Sequence, residues 1–185
     1  MKKSSSDWCL FLDRDGVINK RIPGDYVKSW DEFIFLPHVL SALSRLTTIF
    51  KYIFVVTNQQ GIGKGLMTDQ DVHHIHKKVK KIVRKHGGHI NEIFYCPGLE
   101  QEKPHCRKPE IGMGLQAKSR YPGVDFSKSV MIGDSGSDIE FGKNLGMTTV
   151  LIHQDQGSSD IHANITCSDL NEFYLTFAAK ITSEK

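Results

Sequence analysis

Three stretches carry residues whose types and spacing could do chemistry together. They are Asp13-Arg14-Asp15-Gly16, Thr57-Asn58-Gln59-Gln60-Gly61 and Gly133-Asp134-Ser135-Gly136-Ser137-Asp138. Carboxylates gathered at one point repel one another and raise each other's pKa unless a cation sits between them. All-oxygen ligands suit Mg2+, which takes one or two carboxylates, keeps waters and accepts a substrate phosphate. A hydroxyl such as Thr57, backbone N–H groups of a Gly-containing turn and a lysine would complete a phosphate cradle. An Asp beside such a cation can attack phosphorus and form an aspartyl phosphate. A second Asp two residues on can protonate the leaving oxygen. Asp and Gly are also ordinary turn residues, so a lone Asp-x-Asp-Gly decides little. Three separate stretches with the required groups in chain order decide more.

Positioning these groups requires elements that end beside one another. The runs Trp8–Asp13, Tyr52–Thr57, Ser129–Asp134 and Thr148–His153 read as strands buried on both faces, with Ile93–Tyr95 a weaker candidate. Helical patterns lie near Pro37–Ile49, Asp69–His86, Gly112–Arg120, Asp138–Leu145 and Leu170–Ile181, with Pro37 in a first turn and Gly146 as a stop. Alternating strands and helices predict an α/β domain, a doubly wound parallel sheet with helices on both faces. Ligands of such sheets bind outside the carboxyl ends of the strands, which is where all three stretches fall.

A chain of 185 residues is expected to form a single domain spanning 1–185, and no repeat, low-complexity tract or long linker divides it. Its composition, 39% hydrophobic and 24% charged, is that of a soluble globular protein, and a net charge of +3 does not argue for nucleic acid. The N-terminal apolar run stops at Asp13, too short for a signal peptide, and nothing approaches a membrane span. A cytoplasmic location follows as the expectation, with reduced thiols and no Cys96–Cys106 disulfide. The loop Cys96–Pro109, with two cysteines, His105 and an Arg107-Lys108 pair, is open to reading as a metal knuckle, a disulfide loop or a substrate contact.

As a set the motifs resemble the haloacid dehalogenase superfamily of phosphotransferases. "DRDG" matches its first motif, the strand ending "VVTNQ" its second, Lys108 of "CRKP" its third and "GDSGSD" its fourth. The resemblance runs from about Trp8 to Ile152. "FLDRDGVIN", "VVTNQQGIGKG" and "CRKPEIGM" are similar to its capless branch of heptose-bisphosphate and histidinol-phosphate phosphatases. The resemblance implies a Rossmann-like fold and a Mg2+-dependent phosphomonoesterase working through an aspartyl phosphate. In that reading Asp13 is the nucleophile and Asp15 the acid, then the base. Thr57 and Lys108 hold the phosphoryl oxygens. Mg2+ is held by Asp13, the Asp15 carbonyl and Asp134, with Asp138 behind them. Arg14, Tyr26, Asn58, Gln59 and Arg107 contact the substrate, with Tyr26 on a specificity loop, Lys20–Val27, about two residues longer than the commoner form. The favoured substrate is D-glycero-D-manno-heptose 1,7-bisphosphate at its 7-phosphate. Histidinol phosphate, a nucleic-acid 3′-phosphate and a non-catalytic phosphate-binding role are the alternatives. The expected partner is a small phosphorylated metabolite, with the protein a monomer or small homo-oligomer.

Other features carry less. "GIGKG" lacks the spacing of a nucleotide phosphate loop. The basic, histidine-rich segment Asp71–His89 has one apolar face through Val72, Ile75, Val79, Ile82 and Val83. Its lysines and His76 are expected on or near the solvated side, and no aromatics interleave them for nucleic-acid stacking. Cys9 and Cys167 read as buried thiols. Members of the resembled branch often carry zinc on a Cys-x-His and a Cys-x-Cys pair. Here Cys96 and Cys106 match the outer cysteines, but Gly98 and Pro104 stand at the other two positions. A structural zinc wants four ligands, so no zinc is expected.

Overall fold

In a computed structural model, which describes residues 7–153 and 160–183, the chain alternates strands and helices from its first strand onward. The strands are β1 (Cys9–Leu12), β2 (Tyr52–Asn58), β3 (Glu92–Cys96), β4 (Ser129–Gly133), β5 (Thr148–Ile152) and β6 (Ile165–Cys167). The helices are α1 (Val39–Leu46), α2 (Asp69–Lys85), α3 (Gly112–Arg120), α4 (Gly136–Asn144) and α5 (Leu170–Ser183). The six strands form one parallel sheet in the order β3-β2-β1-β4-β5-β6. The doubly wound α/β architecture is as expected.

The strands lack a polar alternation because both faces are covered. Leu10, Leu12, Ile53, Val55, Val130 and Ile132 pack with residues of α1, α2 and α5 on one side. Cys9, Phe11, Phe54, Val56 and Met131 pack with residues of α3 and α4 on the other. Period-2 alternation between two apolar layers yields the unbroken hydrophobic runs of the sequence. The chain turns from β1 to β2 and β3, then returns to the other side of β1 as β4 and β5. That reversal beside β1 is the topological switch point, where a crevice opens at the carboxyl ends.

Several boundaries differ from expectation for local reasons. Helix α1 starts at Val39, after His38 takes a left-handed φ of 61°, so Pro37 precedes the helix instead of opening it. Helix α4 starts at Gly136 because Ser135 caps it reciprocally with Asp138. Ile93–Tyr95 extends into a five-residue strand. β6 was not anticipated: it is three residues long and only Cys167 in it is buried. Gly146, at φ 75°, ends α4 as predicted. Among the described residues no helix is long and apolar enough to cross a membrane.

Candidate active site

β1 delivers Asp13 and Asp15 through a tight turn. Ile18 and Asn19 donate backbone N–H groups to the Arg14 carbonyl, and the Gly16 N–H donates to the Asn19 carbonyl. Gly16 has φ 96°, and a Cβ there would lie 2.0 Å from Asp134 Oδ2. Only glycine fits this turn, both for its dihedral and for the carboxylate packed against it. Buried Asn19 donates to Asp15 Oδ1 at 2.8 Å, fixing that carboxylate from below.

β2 delivers Thr57, Asn58 and Gln59. Thr57 is buried at the crevice floor, and Gln59 Nε2 donates both to its hydroxyl (2.8 Å) and to Asp15 Oδ2 (2.9 Å). Asn58 clamps the backbone of Lys108, donating to its carbonyl at 3.1 Å and accepting from its N–H at 3.0 Å. So held, the Lys108 ammonium reaches Asp13 Oδ1 (2.6 Å), Asp138 Oδ1 (2.5 Å) and the Val56 carbonyl (2.7 Å). Asp138 is steadied by Ser135, whose N–H and hydroxyl donate to its Oδ2.

Charge and burial set the proton affinities. Burial pushes the Asp13 carboxyl up to about 7, with Lys108 opposing and Asp138, Asp134 and Asp15 adding to the rise. Burial likewise pushes Asp134 up to about 6, with Arg21 opposing. Asp15 goes the other way: burial is outweighed by the Arg14 guanidinium, Asn19 and Gln59, which hold it below the usual range. For Lys108 the cost of burial is outweighed by its two carboxylate partners, which raise its affinity.

The floor fits a hard divalent cation. Asp13, Asp134 and Asp138 present carboxylate oxygens all within 4.8 Å of one another. Asp134 Oδ1 is buried with no hydrogen-bond partner among the described residues. Elevated carboxyl affinities and an orphaned buried oxygen are what a cation between these groups would relieve.

A cleft of about 440 Å³ opens above this floor, lined by Asp13, Asp15, Thr57, Asn58, Lys108 and Asp138 and by Tyr26, Lys64 and Arg107, while Arg21 reaches in to Asp134 Oδ2 at 3.2 Å. Tyr26 forms a wall and accepts a hydrogen bond from Lys64 Nζ at 2.9 Å. Two expected substrate contacts do not line the cleft. Arg14 is 1% exposed and turned beneath Asp15, its Nη2 at 3.0 Å from Oδ1. Gln59 is wholly buried in its bridge between Thr57 and Asp15. His76 also corrects the sequence reading, being buried on the inner side of α2 with Nε2 3.3 Å from Arg14 Nη1. An apolar-face count could not foresee it, because its partner is the buried guanidinium.

The sequence reading missed Arg21, Gln60, Lys64, Ser135 and Ser137, which also line the cleft. Arg21 stands in the Lys20–Val27 segment and Lys64 in the GIGKG stretch, Gly61–Gly65, where their charge was the available signal. The cysteine reading is corrected as well. Cys96 and Cys106 form a disulfide, with Cα atoms 5.3 Å apart, because the loop doubles back on the end of β3. Gly98 packs on Pro104 inside this loop, where a Cβ would lie 2.6 Å from the ring. Cys9 and Cys167 are buried free thiols, as expected.

A parallel sheet whose switch point gathers an Asp-x-Asp turn, a threonine, a lysine and an acidic loop defines a haloacid dehalogenase-type hydrolase. Residues 105–172 match the HAD-hydrolase-like family model. The chain is 42% identical over 144 residues to D-glycero-alpha-D-manno-heptose-1,7-bisphosphate 7-phosphatase of Mycobacterium tuberculosis, covering 78% of this chain and 76% of that one. It is 36% identical to the D-glycero-beta-D-manno-heptose-1,7-bisphosphate 7-phosphatase of Pseudomonas aeruginosa, covering 80% and 82%. The crystal structure of D,D-heptose 1,7-bisphosphate phosphatase from B. bronchiseptica, complexed with magnesium and phosphate, superposes with a TM-score of 0.85 at 30% identity, over 94% of this chain and 99% of that one. The chain belongs to the heptose-1,7-bisphosphate 7-phosphatase family of these hydrolases, and is a phosphatase.

Proposed function

We propose that the protein removes the 7-phosphate of D-glycero-D-manno-heptose 1,7-bisphosphate with the help of Mg2+. The observation that carries the reading is the cleft's polarity. Nucleophile-competent carboxylates and Lys108 are buried at its floor, and two further cations, Lys64 and Arg107, line it as well. A substrate with an anion at each end matches that arrangement better than a phosphomonoester whose far end is a cation, as in histidinol phosphate.

In the proposed reaction Asp13 attacks phosphorus, forming an Asp13 O–P bond as the P–O bond to carbon 7 of the sugar breaks. Asp15 gives a proton to the departing sugar oxygen. Water then attacks the phosphorus, Asp15 takes its proton, and inorganic phosphate leaves with Asp13 restored. Thr57 and Lys108 hold the phosphoryl oxygens while charge develops on them. Asp13, the Asp15 carbonyl and Asp134 would hold Mg2+, with Asp138 behind, and the ion supplies positive charge that lets an anionic phosphate approach carboxylates. In the ligand-free state Asp15 is held as a base by Arg14, Asn19 and Gln59. A substrate phosphate arriving beside it raises its proton affinity and readies it as the acid.

Turnover with Mg2+ should be compared on D-glycero-D-manno-heptose 1,7-bisphosphate, histidinol phosphate and a 3′-phosphorylated oligonucleotide. The reading predicts the highest kcat/KM by far on the heptose compound. Hydrolysis of it no better than of a generic phosphate ester overturns the substrate assignment. The two named relatives act on opposite anomers, so both should be offered.

A further inference from the structure

We infer that His76 is a positioning residue for Asp15: it holds the buried Arg14 guanidinium, and through it the carboxylate that handles the proton in each step. This rests on the reading of Asp15 as acid and base.

A guanidinium taken out of water needs acceptors for its N–H groups. Among the described residues, that of Arg14 has two. Its Nη2 lies 3.0 Å from Asp15 Oδ1 and 2.9 Å from Oδ2, against both oxygens of the carboxylate. Its Nη1 lies 3.3 Å from His76 Nε2 on α2, 62 positions away in sequence. Its Nε is buried without a partner among the described residues. The planar fork cannot turn at one end without moving the other. The imidazole at Nη1 therefore fixes the angle at which Nη2 meets Asp15.

Arg14 has only N–H groups to offer, so Nε2 must be the bare nitrogen of a neutral ring. Burial, then the Arg14 charge, keep the ring neutral. Its place is set by α2, a 17-residue helix whose Val72, Ile75 and Val79 are buried in the core, and by the Tyr95 ring, 5.7 Å away between centroids. Loss of the acceptor would leave two of the three guanidinium nitrogens buried and unpaired. Turning the guanidinium relieves that cost, and Asp15 then loses its hold.

His76→Gln and His76→Asn separate this role from simple packing. Both put an amide that cannot titrate into the same buried place, but the longer side chain brings its oxygen to the Nε2 position and the shorter stops one bond short. kcat/KM is measured on the heptose bisphosphate, whose alkoxide needs a proton to leave, and on p-nitrophenyl phosphate, whose phenolate leaves without one. His76→Asn should lose about ten- to a hundredfold on the first ester and less than about threefold on the second. His76→Gln should stay within about threefold of wild type on both. Equal losses of His76→Asn on the two esters overturn the inference, since damage to the fold or to the nucleophile does not discriminate between leaving groups. Wild-type activity of His76→Asn on the heptose compound, or a loss there by His76→Gln as large as that of His76→Asn, overturns it too. Asp15→Asn is the reference and should show the same selectivity on a larger scale. An equal loss on both esters in that variant overturns the acid assignment, and the inference with it.

Discussion

Lys108 Nζ lies 2.6 Å from Asp13 Oδ1 although the two residues are 95 positions apart, and both are buried. This contact joins the β1 turn to the loop that follows β3, and it is the main force opposing protonation of Asp13. Replacing Lys108 with Met removes the phosphate's cation, and kcat is expected to fall by about 10²- to 10³-fold. Stability should suffer in a pH-dependent way. Asp13 already sits at about 7 instead of 3.8, and without the lysine it rises further. A carboxyl raised in the native state stabilises at low pH and loses that contribution as pH climbs through its native value. Urea unfolding should therefore place the variant closer to wild type at about pH 5 than at about pH 8.

Gln59 touches Asp15 and Thr57 and no part of the cleft surface, so its work is to hold those two groups. Gln59→Leu should reduce kcat by about ten- to a hundredfold while KM stays within about twofold. Steady-state kinetics on the heptose bisphosphate decides it. A raised KM with unchanged kcat would restore the substrate-contact role first expected of this residue.

His76 should mark the acid limit of the fold. Burial, then the Arg14 charge, push its affinity down from 6.5 to about 3, with Asp15 opposing and His73 adding slightly. The imidazole is neutral in the native state and protonated in the unfolded chain at mildly acid pH. Its stabilisation is whole above 6.5 and drains away as pH falls toward 3, by on the order of a few kcal/mol. His76→Gln keeps an acceptor for Arg14 but cannot titrate. Its stability should fall less steeply than the wild type's between these limits, measured by urea unfolding at several pH values.

Thiol counting tests the disulfide. The chain has four cysteines, and the structure pairs Cys96 with Cys106 while Cys9 and Cys167 are free. Unfolded without reductant, the protein should show about half the reactive thiols that it shows after reduction. Cys106→Ser should lower stability by about 2 to 3 kcal/mol under oxidising conditions, the amount expected for closing a short loop. An unchanged thiol count would mean that the loop is held without the bond.

Much of this arrangement was legible because it follows from simple periodicity. Buried parallel strands read as unbroken apolar runs, and their carboxyl ends point to Asp13, Thr57 and Asp134 before any contact is known. Residues whose role depends on which way a side chain turns were not legible. Arg14 precedes Asp15 in a motif that faces substrate, yet it points beneath the site, where it pairs with Asp15 and lies against His76. His76 occupies a polar-looking helix position, but a guanidinium from 62 residues away makes it an inner one. The Cys96–Cys106 pair was misjudged from an argument about compartment, which says nothing of the distance between two sulfur atoms.

The central claim is covalent transfer through Asp13. It is tested most directly by acid-quenching the enzyme with substrate labelled in its 7-phosphate and locating the protein-bound label. The account predicts label on Asp13 in the wild type and none in Asp13→Asn. Labelling or turnover at wild-type level in Asp13→Asn would contradict it.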